Sequence, residues 1–297
     1  MPSLMLPKIS VITPVLNGAK TLDRTIQSLL NQRYPSLEYI ILDAGSTDGT
    51  LDIIKKYEPQ ISFWRSYPDG GTAPAHNEGI RRATGDIIAF LNADDWYEPD
   101  VLHQVCAAFA EAPDLEVVNC LAQIKRGETV EVIPERLADF SPNRLPIPIP
   151  NARFIRKSLY EKLGPFIEHF EGYKILGFDM EYIWRVHLAQ PQHRFIPIIA
   201  YTYVVHEDSM TFNSRDETKV RLAKEGTLFS LYYLKNKHLN AAWQKEMRKN
   251  IRRNQLLLVK KALKKRAWTT VWDEWKTGYQ VLGWRFMWLV ARKMFAS

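Results

Sequence analysis

Two adjacent carboxylates, Asp94 and Asp95, close a short apolar run, Ile87-Ile88-Ala89-Phe90-Leu91. An unbroken run of that length is the pattern of a strand buried on both faces. In an open α/β sheet ligands collect outside the carboxyl ends of the strands, so both aspartates are expected at the rim of a rigid sheet. Side by side they repel unless a cation lies between them, and oxygen ligands suit hard cations such as Mg2+ or Mn2+. The simpler reading of the same residues is an acidic turn, with Asp100 helping to start the next helix. A second polar stretch is Gly177-Phe178-Asp179-Met180-Glu181-Tyr182-Ile183-Trp184-Arg185. A helix over 179–188 puts Asp179 in its first turn, where the helix dipole favours the ionised form, and turns Tyr182, Ile183 and Val186 toward a core. Asp179 could equally serve as the N-cap, while Glu181 reads as a solvated residue or an ion-pair partner of Arg185. His206 follows a strand-like run from Phe195 to Val205. The histidines at 103, 169, 187, 193 and 238 show no ligand spacing.

These groups need elements to carry them. Ile9 to Pro14 and Leu37 to Leu42 read as strands, and a third lies near Ile61 to Ser66. Helical spacing recurs at Leu22, Ile26, Leu29 and Leu30, again over 51–57, and again near Ala75 to Ala83. Alternation at this pitch implies right-handed βαβ units and a parallel sheet. The loops at the strand ends then gather Thr13, Asp43, Asp69, Asp94 and Asp95 on one rim. Neither a Walker loop nor the G-x-G-x-x-G fingerprint is present. An acidic rim instead suits a nucleotide held through base and ribose hydrogen bonds, with its diphosphate bridged by a metal. Turn and capping chemistry is the competing role for Asp43 and Asp48. Farther on, a helix to about 112 and strands near 115–124 and 130–133 precede a proline-rich stretch, Asn143 to Pro150, expected to be an ordered loop.

With 297 residues the chain can bury a sizeable core. Its two cysteines, Cys106 and Cys120, sit among apolar neighbours without metal spacing and read as reduced core residues of a cytosolic protein. No secretory signal and no apolar run of transmembrane length is visible. Charge is uneven: residues 219–297 carry 19 Lys and Arg against 4 Asp and Glu, although the whole chain is only +7. The expected division is an acidic catalytic globule over 1–218 followed by a basic amphipathic helical tail over 219–297.

The strings Val-Ile-Thr-Pro-Val-Leu-Asn, Leu-Asp-Ala-Gly-Ser-Thr-Asp-Gly-Thr, Pro-Asp-Gly-Gly…His-Asn-Glu-Gly-Ile and Ala-Thr-Gly-Asp-Ile-Ile-Ala-Phe-Leu-Asn-Ala-Asp-Asp stand in that order along the first hundred residues. Together they resemble family 2 glycosyltransferases of the bacterial surface-polysaccharide branch. The resemblance implies the GT-A fold, an α/β, Rossmann-like mixed sheet with helices on both faces, divided into a nucleotide-binding half (1–112) and an acceptor half (113–218) and here carrying a C-terminal helical extension. It also implies inverting transfer of one sugar from a nucleotide-diphosphate donor to a hydroxyl of a glycan or lipid-linked acceptor, with a divalent metal, Mn2+ or Mg2+. By matching position Thr13 and Asp43 would contact the base, Asp94 the ribose, and Asp95 the metal, with His206 completing the metal site. Pro14, Asn17, Ser46, Asp69, His76 and Asn77 fall in the same nucleotide-binding motifs, and Asp179 in the position of the general base. Asn92 replaces the first aspartate of the acidic triplet and leaves the cation fewer charges; His76 stands where many relatives carry Arg.

The tail follows a separate logic. Met247, Ile251, Leu258 and Ala262 fall at helical steps within a basic segment. Then Trp268, Trp272, Trp275, Tyr279, Leu282, Phe286 and Leu289 form one stripe. Tryptophan with Lys and Arg on one helix suggests contact with an anionic membrane surface, which would place the protein peripherally on the inner face of the cell membrane. Packing on the catalytic domain or on a second subunit would use the same stripe, so a homo-oligomer stays open. Nucleic acid is not expected as a partner, because the aromatics are not spread as stacking platforms. The alternatives to an active transferase are a sugar nucleotidyltransferase and an inactive, tail-anchored sugar-binding or scaffold protein.

Overall fold

Residue types along the first ninety positions set up a strand–helix alternation that the computed structural model bears out. It describes residues 6–135, 140, 150–207, 209, 216–236, 238–283, 286 and 290. The elements are β1 (Ile9–Val15), α1 (Leu22–Leu30), β2 (Leu37–Asp43), α2 (Thr50–Lys56), β3 (Phe63–Ser66), α3 (Thr72–Arg82), β4 (Ile87–Phe90), β5 (Trp96–Tyr97) and α4 (Val101–Glu111). There follow β6 (Val117–Arg126), β7 (Thr129–Val132), β8 (Arg153–Arg156), α5 (Lys157–Leu163), β9 (His169–Phe170), β10 (Tyr173–Lys174), α6 (Phe178–Leu188) and β11 (His193–Val205). Three longer helices end the described chain: α7 (Asp216–Asn236), α8 (Ala241–Lys264) and α9 (Trp268–Leu282). The proline-rich stretch at 143–149 lies outside the described residues, as do Leu289 and the last seven positions.

One large mixed sheet runs in the order β3-β2-β1-β4-β8-β6-β11-β5, with β7 added to β6. The first four strands are parallel neighbours, and the register sets Val15 beside Asp43 and Ile12 beside Phe90. β8 then runs antiparallel to both β4 and β6, while β6 and β11 are again parallel. Crossover helices explain the parallel half, since each covers a face of the strands it joins. Leu22, Ile26 and Leu29 on α1 are fully buried in that role, each worth about 1.5–3 kcal/mol in apolar area removed from water. On α3 a glycine permits the closest approach: a Cβ at Gly79 would lie 2.5 Å from Cγ2 of Ile12. Cys106 and Cys120 are free, buried thiols as expected, and burial pushes them up to about 11 and about 12.

Two local expectations change. Asp100 does occupy the position before α4, but with φ at 62° and its side chain accepting from Gln104 Nε2 and not from a backbone amide of the first turn, so it does not cap the helix. Glu181 is buried and accepts a hydrogen bond from Tyr233 Oη at 2.6 Å; a hydroxyl donor, not solvent, satisfies it. Arg185 donates to the backbone carbonyls of Leu163 and Pro165.

The described residues of Met1–Phe140, Pro146–Phe170 and Tyr182–His206 form one compact unit, and those of Ser141–Leu145, Glu171–Glu181 and Glu207–Ser297 a second. The first holds the large sheet. In the second, α8 turns Met247, Ile251, Leu258 and Ala262 inward, the apolar positions picked out by helical spacing. Val259, Ala262, Val271, Phe286 and Val290 make a small core there.

Candidate active site

Because β1, β2, β3 and β4 are parallel, their carboxyl ends and following loops share one edge of the sheet. Asp43, the last residue of β2, is fully buried and folds its own loop. Its Oδ2 accepts the amides of Gly45 and Ser46 at 2.9 Å each and Ser66 Oγ at 2.6 Å, and its Oδ1 takes the Ser46 hydroxyl. Ser46 Oγ in turn accepts the Asn17 amide at 2.7 Å, and Asn17 Oδ1 accepts the Thr47 amide at 3.0 Å. Asn17 holds φ at 53°, a left-handed conformation that asparagine tolerates. Asp48 ties the same two loops through the Ala19 amide and the Thr50 hydroxyl. Pro14, half-buried on β1, leads into this stitched pair of loops. Thr13 is fully buried and accepts a hydrogen bond from Tyr39 Oη at 3.2 Å.

Asp69 is fixed by a residue the sequence did not single out. Arg65, buried on β3, donates to Asp69 at 3.0 Å, to Glu78 at 2.7 Å and to the Asp43 carbonyl. One guanidinium thereby holds the β2 and β3 loops together. The expected neighbours on α3 have quieter places. Asn77 uses its amide as a brace, donating to the Phe166 carbonyl at 2.9 Å and accepting the Phe166 amide at 2.8 Å. His76 lies between Phe90 and Phe166, and burial pushes it down to about 4, so it is neutral at pH 7. A charge-bearing partner for a diphosphate is therefore not found at His76, for the reason that its ring is out of water.

The aspartate pair splits into two roles. Asp95 is fully buried, and both its oxygens are taken: Oδ1 accepts the Val204 amide at 2.7 Å, and Oδ2 accepts Asn92 Nδ2 at 3.1 Å together with the Tyr201 hydroxyl. Tyr201 Oη also accepts Asn151 Nδ2 at 2.7 Å. Burial, and after it the charge of Asp94, pushes the Asp95 carboxyl well above the usual carboxylate range. Asp94 points the other way. Half-exposed, its Oδ2 lies 2.9 Å from His206 Nε2, and it is this aspartate, not Asp95, that the histidine meets. The physical reason is strand pairing next door: Asp95 immediately precedes β5, whose pairing with β11 through Tyr97 and Tyr201 brings the Tyr201 hydroxyl and the Val204 amide to its carboxyl, while Asp94, in the turn before it, meets His206. Irregular register in β11 between Ile196 and Tyr201, around Pro197, bends that strand and aims Tyr201 at Asp95. From α1, Arg24 clamps the loop by donating to the Asp94 carbonyl at 2.7 Å while stacking over Trp96.

Asp94 and His206 offer one oxygen and one nitrogen donor at the same point on the rim. Among the described residues no cluster of three His, Cys, Asp or Glu side chains could hold a metal alone. A two-residue set with open faces fits a cation that completes its shell with phosphate oxygens and water, and the imidazole favours Mn2+ over Mg2+. Asp95, the ligand expected from the sequence, already accepts three hydrogen bonds on its two oxygens and has less acceptor capacity to spare than Asp94.

Asp179 belongs to the second compact unit, in the first turn of α6 as expected. Burial pushes its carboxyl up to about 6, against the pull of the Met180 amide at 2.8 Å, and Glu225 adds to the rise. Glu225 is itself fastened by the amides of Leu176 and Gly177 and by Arg221.

Comparison with known proteins places this arrangement in a class. The mannosyltransferase of Pyrobaculum calidifontis, solved with GDP-Man and Mn2+, superposes with a TM-score of 0.63 at 16% identity, over 100% of this chain and 82% of that one. The fold is thus GT-A. The family model described as Glycosyl transferase family 2 matches residues 10–174, and the chain belongs to that family. A glycosyltransferase of Mycobacterium tuberculosis is 33% identical over 190 residues, which is 62% of this chain and 70% of that protein. TuaG of Bacillus subtilis, named for teichuronic acid biosynthesis, is 40% identical over 101 residues, 33% of this chain and 40% of its own length.

Proposed function

We propose that the chain transfers one sugar, with inversion, from a nucleotide-diphosphate donor to a hydroxyl of a growing glycan or lipid-linked acceptor in polysaccharide biosynthesis. The observation that carries this reading is the Asp94–His206 contact, 2.9 Å, at the carboxyl edge of the sheet in a family 2 chain. Asp94 and His206 would hold Mn2+ or Mg2+. When bound, the cation supplies positive charge for the departing nucleotide diphosphate. Asp95 keeps the loop in register from below through Tyr201 and Val204. The stitched loops around Asn17, Asp43, Ser46 and Asp69 form the bed for the base and ribose, with Thr13 and Pro14 on the strand beneath. Asn77 and His76 shape the helix behind it. Asp179 takes the proton of the incoming hydroxyl; a carboxyl raised to about 6 is largely ionised at pH 7 yet more basic than an ordinary aspartate. The Pyrobaculum enzyme, solved with GDP-Man and Mn2+, supports the donor class, and the teichuronic acid biosynthesis in TuaG's name supports the setting.

A thermal-shift panel of nucleotide sugars, with and without Mn2+, tests the reading. One donor is expected to raise the melting temperature in a Mn2+-dependent way, by an amount that grows with donor concentration. Asp94→Asn and His206→Ala are each expected to abolish the Mn2+-dependent part. A panel without any shift, or full Mn2+ response in both variants, would refute it and favour an inactive binding protein.

A further inference from the structure

The second unit presents a surface that donor chemistry does not use. Helix α9 shares an apolar cluster with α8 through Val271 and Leu282, with Phe286 against Gly278. At about 100° per residue, Trp275, Trp268, Tyr279 and Trp272 follow one another around the shoulder of the helix beside that contact. The rings are in register: Trp272 stacks on Trp275 with centroids 4.7 Å apart, and Trp275 on Tyr279 at 5.9 Å. Yet the outer members stay in water, Trp268 at 62% and Trp272 at 61% exposure. Two indoles so exposed on one short helix form an apolar patch that a protein surface ordinarily avoids.

Charge around the patch is one-sided. α8 closes into α9 through a tight corner, Ala267 N donating to the Ala262 carbonyl and Trp268 N to the Arg266 carbonyl. That corner is Lys264-Lys265-Arg266, all three exposed and joined directly to the turn that carries Trp268. Between positions 260 and 276 there are six Lys or Arg and two acidic residues. The two acids sit away from the shoulder. Asp273 lies about 100° around the helix from Trp272 and Glu274 about 160° away, where Glu274 meets Lys224 at 3.7 Å. Lys276 follows Trp272 about 40° farther along the shoulder.

We infer that this corner docks on an anionic lipid surface, Trp268 and Trp272 entering the headgroup layer while Lys264, Lys265 and Arg266 meet the lipid phosphates. Indole rings favour the membrane–water interface, where the apolar body is covered and the N–H stays solvated. Lys and Arg add long-range attraction to a negative leaflet. Among the described residues no helix is long and apolar enough to cross a membrane, so the contact lies on the surface. A second copy of the chain would cover the indoles but would gather two like-charged corners, and nucleic acid would use the cations while leaving the stacked shoulder without a role.

Flotation of the full chain with vesicles tests the inference. The protein is expected to rise with phosphatidylcholine vesicles carrying phosphatidylglycerol, to stay behind with phosphatidylcholine alone, and to detach as salt is raised. Removing three cations in Lys264→Glu/Lys265→Glu/Arg266→Glu is expected to lower the partition coefficient on the order of 100-fold or more. Trp268→Ala/Trp272→Ala is expected to lose flotation as well. All five side chains are exposed, so both variants should keep the wild-type circular dichroism and melting curve. Equal flotation of wild type and variants would overturn the inference, as would wild type that ignores both vesicle types. A dimer that the tryptophan double variant splits, without lipid binding, would overturn it in favour of a self-interface. Tight, salt-sensitive binding of single-stranded RNA in place of vesicles would overturn it likewise.

Discussion

Tyr201→Phe is the sharpest probe of how the rim is built. The change removes one oxygen and leaves the ring, which packs at 1% exposure against Tyr97. That oxygen donates to the buried Asp95 carboxylate and accepts from Asn151 at 2.7 Å and Asn92 at 3.2 Å. A buried hydrogen bond contributes about 0.5–1.5 kcal/mol, and each buried polar group left without its partner adds about 1–3 kcal/mol. A loss of about 3 kcal/mol is therefore expected, roughly 6 °C in melting temperature for a chain of this size. Urea unfolding and calorimetry measure it. In a double-mutant cycle with Asp95→Asn the two changes should fall short of additive by about 1 kcal/mol or more, because they break the same bond. Since Asp95 holds the loop that presents Asp94, affinity for Mn2+ should also fall about tenfold, the usual effect of disturbing a ligand's support. A loss under about 0.5 kcal/mol, the range of an ordinary surface change, together with strict additivity, would refute the network.

Three more outcomes follow from other parts of the molecule. With Asp179 raised to about 6, turnover should climb as pH rises to about 6 and then level, because the base works only when ionised. Asp179→Asn should keep donor affinity and lose turnover, and a flat profile through that range would remove Asp179 from the reaction. Glu38 is held down to about 2: burial raises its carboxyl, but Ser10, Thr84 and Lys8 outweigh it with hydrogen bonds. A depressed carboxyl stabilises the fold above its unfolded value of 4.5, and that stability, about 3 kcal/mol, is lost as pH falls from there toward 2. Urea midpoints of wild type and Glu38→Gln should accordingly converge in acid, and parallel pH profiles would count against the assignment. Finally, Gly79→Ala pushes a methyl to 2.5 Å from Ile12 and should cost about 1–3 kcal/mol by overpacking, read as a drop in thermal midpoint; an unchanged midpoint would show that α3 can lift off β1 freely.

Local residue patterns were enough to lay out the elements and the rim they create. Strands β1, β2 and β4 announce themselves as apolar runs, and α1 as a 3.6-residue stripe, because these patterns are local consequences of burial. Parallel order then follows from chain geometry, so Asp43, Asp69, Asp94 and Asp95 had to collect at one edge. Local pattern also found the inward face of α8. It could not tell which way each carboxylate points. Adjacent aspartates look alike in a string of letters. Only pairing of β5 with β11 draws Asp95 beneath Tyr201, 106 positions away, and leaves Asp94 to His206, 112 positions away. Arg65 was overlooked for the same reason: an arginine inside a four-residue strand gives no local sign that it will join the Asp69 and Glu78 carboxylates to the end of β2. Burial of a polar side chain is decided by what distant segments bring to it, and that is fixed when the sheet closes.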